Sequence, residues 1–86
     1  MFQRKVTVEY GRSEGAAMPC PIEWLDNFAM RNFTNDAVFD DTLPMDDGVL
    51  EIGNRVPLDR LRDSMEDWFL RKGYLQKDEA LRVTLR

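Results

Sequence analysis

Eighty-six residues, 43% apolar and 33% charged, suffice for one folded domain over 1–86 and exclude a disordered tail or two separate cores. A formal net charge of −4 argues against a phosphate-binding surface and so against direct nucleic-acid contact. One cysteine excludes an intramolecular disulfide framework and fits a reducing, cytoplasmic compartment; no apolar run approaches the roughly 18–20 residues of a membrane span, and the first ten residues lack a secretory apolar core.

In chain order, Phe2, Val6, Val8 and Tyr10 alternate with Gln3, Lys5, Thr7 and Glu9, and only Arg4 breaks the pattern of a half-buried strand over 2–10. "GRSEGAAMP" then reads as a loop. Pro21 suits the first helical position, where its missing N–H has no partner to lose. Ile22, Leu25, Ala29 and Phe33 recur at helical steps, with Trp24 and Phe28 widening the stripe, so the spacing predicts a helix over 21–33. "AVFD" (37–40) and "VLEI" (49–52) are short strand candidates. "DTLPMDDG" between them reads as a loop too long for a tight hairpin.

The clearest helix is "PLDRLRDSMEDWFLRKG". Leu58, Leu61, Met65, Trp68 and Phe69 fall within an arc of about 100° at 3.6 residues per turn. Pro57 opens it, Arg71 and Lys72 complement the dipole, and Gly73 supplies the C-cap. "ALRVTLR" alternates as a last strand. Strand, helix, strand, strand, helix, strand in this length predicts an α+β ferredoxin-like βαββαβ plait: a four-stranded antiparallel sheet with both helices on one face.

No residue pattern announces a chemistry. Cys20 sits at a helix start, where the dipole can favour thiolate, but the chain has no histidine partner and no second cysteine. The four aspartates of "DDTLPMDDG" miss a calcium loop, because Leu43 and Met45 stand where ligands are needed before Gly48. Without histidine or paired cysteines zinc fits no better, so no metal or cofactor is expected. "GRSEG" is not a phosphate loop, and "VLEI" lacks the aromatic residues of an RNA-recognition strand. On the second helix, Arg62–Glu66 and Asp67–Arg71 read as four-residue ion pairs on a solvated face.

Charge is unevenly spread. Residues 1–22 are net +1 and 52–86 net +2, whereas 23–51 hold eight acids against Arg31 alone, a net of −7. Asp36, Asp40, Asp41, Asp46, Asp47 and Glu51 follow one another with no intervening Lys or Arg. Asp favours loops, which explains part of this. The remainder suits an acidic strand–loop–strand edge that meets a basic protein surface, with Trp24 and Phe28 as apolar contacts beside it.

The sequence is therefore expected to encode a small acidic non-catalytic binding protein. If the partner's basic surface normally holds nucleic acid, the aspartates stand in for phosphates and the protein is an inhibitor, a type common in phages and mobile elements. The competing expectation is a small plait-fold enzyme or ligand-binding domain with a pocket near Arg12 and Cys20. Plait sheets also have open outer strands, through which two copies could form a homodimer.

Overall fold

The computed structural model describes residues 3–31 and 42–86. Five strands and two helices follow in the order β1 (Gln3–Arg12), β2 (Met18–Pro19), α1 (Ile22–Arg31), β3 (Thr42–Asp46), β4 (Val49–Gly53), α2 (Leu58–Lys72) and β5 (Glu79–Leu85). The architecture is α+β, with every strand pair antiparallel.

β1 is the centre of the sheet. Its first half pairs with β4 (Val6 opposite Leu50), and β4 pairs outward with β3. β5 pairs with β1 from Val6 to Arg12, and β2 pairs with Glu9 and Tyr10. One segment of β1 cannot take two partners on one side, so β2 continues along the side that β4 occupies. The lateral order is β3–β4–β1–β5, with β3 and β5 as the outer strands among the described residues.

The alternation of β1 does what the pattern implies. Val6 and Val8 are fully buried and join Leu50, Ile52 and Leu81 from the neighbouring strands. Leu25 and Phe28 of α1 and Leu61, Met65, Trp68 and Phe69 of α2 complete the same core, closed by Cys20, Val56 and Leu75 from the connections. α1 packs towards β3 and α2 towards β5. Arg4, the exception in the alternation, is on the core-side register opposite Ile52. Its guanidinium donates to the carbonyls of Gly53 (3.2 Å) and Val56 (2.5 Å), which satisfies the backbone where β4 turns towards α2. A long cation there serves the connection rather than the solvent.

Gly73 ends α2 in the left-handed region (φ 79°), and Tyr74 donates its N–H back to the Phe69 carbonyl at 2.9 Å. Pro21 lies just before α1 rather than within it, its carbonyl accepting from Trp24 and Leu25.

Two expectations change. The stretch 42–48 is not a long loop: Thr42–Asp46 is a strand, closed onto β4 by the two-residue turn Asp47–Gly48. Pro44 suggested a loop, but on an outer strand a missing N–H costs nothing if it faces outwards. A bulge between Pro44 and Asp46 absorbs the irregularity. Likewise "GRSEGAAMP" contains the two-residue strand β2. The strand candidate 37–40 and the last residues of the first expected helix lie outside the described residues.

Candidate protein-binding edge

The β3–β4 hairpin forms one margin of the sheet, and its turn is tied into the molecule. Val8 donates its N–H to the Gly48 carbonyl (2.8 Å), Gly48 donates to Cys20 (2.7 Å), and Cys20 donates to Val8 (3.0 Å). The three backbones close on one another. Gly48 has φ +68°, and a Cβ on it would stand 2.7 Å from the Pro19 Cβ, so only glycine fits. Beside it, Asp47 Oδ1 accepts the Ile22 N–H at 2.8 Å, an N-terminal cap for α1 supplied from 25 residues away.

The expected site residues thus separate. Asp36, Asp40 and Asp41 lie outside the described residues. Asp46 and Asp47 are both exposed, but one Asp47 oxygen is committed to the helix, while Asp46 accepts the N–H of its neighbour Asp47 at 2.8 Å. Glu51 is half-buried on the sheet face away from the core, between Leu43 on β3 and Lys5 on β1 in register. On that face Lys5 opposes Glu51 and Glu9 opposes Arg82, cross-strand pairings that favour the observed register.

The apolar part of the expected site requires correction. Phe28 is 1% exposed and meets Trp68 edge-on at 6.1 Å, so it belongs to the core and offers no surface. The arc of α1 is wide because the helix contacts both the sheet and α2. Trp24 is half-buried between Tyr10 (centroids 4.9 Å apart) and Tyr74, on which it stacks at 5.0 Å with 9° between the planes. Asn27 Nδ2 donates to the Tyr74 hydroxyl at 3.0 Å and holds the stack in place.

The exposed apolar groups at this margin are Leu43 (55%) and Met45 (45%), both on β3. In the sequence they fall within the expected loop 41–48. The signal that could have found them is Asp47-Gly48, a strong hairpin turn pair that implies strand on both sides.

Cys20 and Arg12 do not form a reactive pair. Cys20 is fully buried, and burial, with Glu9 adding to it, pushes its thiol from 9.0 up to about 12. Desolvation outweighs any help from the helix N-terminus, so the sulfur stays protonated and poorly nucleophilic. Arg12 is exposed and pairs with Asp78 at 2.7 Å on the surface. Among the described residues no three Cys, Asp or Glu side chains gather as a metal site would require, and no helix is long and apolar enough to cross a membrane.

Compared with protein-family models, with curated proteins and with solved structures, the chain matches none.

Proposed function

We propose that this chain is a non-catalytic protein-binding module whose β3–β4 edge engages a basic surface on a partner protein. The observation that carries the reading is the exposure of Leu43 and Met45 on an outer strand beside the acidic residues Asp46 and Glu51. An apolar centre with a charged margin is how protein interfaces are composed. The acidic run continuing through Asp36, Asp40 and Asp41 extends the same charge.

A surface of this sign is complementary to one that binds nucleic acid, and the proposed role is therefore inhibition of such a partner by occupying its basic site, in the cytoplasm where the lone cysteine stays reduced. The fold behind it is proposed to be the ferredoxin-like plait, with β2 as an addition beside β1; the lateral order β3–β4–β1–β5 and the shared core of both helices support this. The competing pocket reading loses its nucleophile with the burial of Cys20.

Affinity capture from source-cell lysate tests the proposal, using the parent and a Leu43→Ser/Met45→Ser/Asp46→Asn variant whose fold is checked by circular dichroism. A basic partner retained by the parent and lost by the variant is the expected result. Equal capture by both places binding elsewhere and removes this edge as the site.

A further inference from the structure

The two outer strands are closed to further pairing by different means. The Val8 N–H donated to the Gly48 carbonyl sets the phase of the β1–β4 ladder, so Leu50 and Ile52 turn their backbone groups to β1 and Val49, Glu51 and Gly53 turn theirs towards β3. Leu43 faces that ladder, and Pro44, one position on, turns its ring nitrogen to the side away from β4. A donor is missing there by covalent structure, and the edge is permanently blunted.

On β5 the closure is made by a side chain. Arg86 donates its N–H to the Lys5 carbonyl at 3.1 Å, which fixes the phase of the β1–β5 ladder. Thr84 and Arg82 then bond to β1, whereas Leu81, Val83 and Leu85 turn their backbone groups outwards. The Leu81 N–H does not face solvent: it donates to Glu66 Oε2 of α2 at 2.9 Å. Glu66 is itself steadied by Arg62 Nη1 at 3.6 Å.

We propose that the outer edge of β5 is a strand-pairing site for a second copy of this chain and that the Glu66 carboxylate closes it. An antiparallel pairing centred on Val83 sets Leu85, 54% exposed in the single chain, beside Leu81 of the second copy. The same register sets Arg82 beside Thr84 of the second copy, so no like charges stand directly opposite. With Glu66 in place, one outward donor is taken and a carboxylate occupies the lane of the arriving strand. Withdrawing it leaves the outer side of β5 without a strand partner among the described residues.

The test is light scattering on the full chain at high micromolar concentration, with the parent, Glu66→Gln, Glu66→Ala and Glu66→Ala/Val83→Pro. The parent and the Gln variant, which keeps an acceptor oxygen, are expected to be monomers. Glu66→Ala is expected to double the apparent mass. Adding Val83→Pro should return it to the monomer, because that proline deletes an outward N–H and leaves the β1 ladder intact. A folded Glu66→Ala monomer, a dimer that survives Val83→Pro, or a parent that is already dimeric would each overturn the proposal. Amide exchange on the parent gives a readout independent of variant folding. The Leu81 N–H should exchange on the order of tenfold more slowly than that of Val83. Equal rates mean that Glu66 does not close the edge.

Discussion

Asp46 and Asp47 are adjacent, identical in chemistry and both exposed, yet they belong to different regions of the molecule. Asp47 is part of the turn region, where Val8, Cys20 and Gly48 exchange backbone hydrogen bonds and α1 receives its cap. Asp46 belongs to the β3–β4 margin with Leu43, Met45 and Glu51, where its own contact is local and Glu51 stands opposite Lys5 in register. Negative charge in a sequence therefore has two meanings here. At the turn the Asp47 carboxylate holds a helix end 25 residues away; on the strand the Asp46 carboxylate accepts the N–H of its immediate neighbour Asp47.

Substitutions should separate the two regions by size of effect. The largest loss is expected at Gly48→Ala, which combines a left-handed backbone with a close approach to Pro19. We expect destabilisation of about 2–4 kcal/mol, read as a lowered denaturant midpoint. A change below about 0.5 kcal/mol would mean that the three-way backbone tie is slack.

The Cys20 thiol gives the next effect, and its sign follows from burial. Its folded pKa is raised from 9.0 to about 12, so the proton is kept in the folded chain while the unfolded chain loses it. The associated stability is complete below pH 9.0 and falls away as pH rises towards about 12. Urea melts of the parent should lose stability across that window more steeply than those of Cys20→Ala. Parallel pH profiles would show the thiol to be solvated.

A smaller loss belongs to Asp47. Replacing it with Ala should cost about 1 kcal/mol, the usual value of a helix cap, whereas Asn keeps an Oδ1 acceptor and should cost only a few tenths. Equal effects of Ala and Asn would deny the cap. Smallest of all, Asp46→Asn and Leu43→Ser should each shift stability by less than about 0.5 kcal/mol, which is the behaviour of groups outside the core. A larger loss at either position would move the β3 margin into the folding machinery and weaken the comparison.

Much of the frame is legible from the chain. α2 combines a narrow apolar arc with Pro57 before it and Gly73 after it, and its observed limits follow. β1 and β5 are read from alternation because one face of each strand is more buried than the other, and β4 from its short apolar run ahead of Gly53. β3 escapes that logic. It is an outer strand with Pro44 and a bulge, and its polar and apolar residues do not alternate cleanly. β2 is held by two residue pairs alone, too few to leave a pattern.

The site is less legible than the fold, for a physical reason. The roles of Asp47 and Glu66 depend on backbone donors far along the chain, at Ile22 and Leu81, and no local pattern announces them. Sequence spacing pairs Glu66 with Arg62, four residues before it; that pair exists at 3.6 Å, but the closer contact of Glu66 is tertiary. A helical wheel sets Phe28 at the margin of the stripe because it gives direction without saying how many neighbours surround the helix. Arg4 broke a strand pattern, and the break marked two carbonyls that needed a donor.

The most direct measurement of the central claim is the salt dependence of binding between the captured partner and two forms of the chain, the parent and a variant with Asp40, Asp41, Asp46 and Asp47 changed to Asn. Asn at position 47 keeps the helix cap, so the comparison isolates charge. Parent affinity is expected to fall steeply as salt rises, and the variant to bind more weakly with a shallower slope. Equal affinities and equal slopes would contradict it, and the acidic margin would then be a solubilising surface.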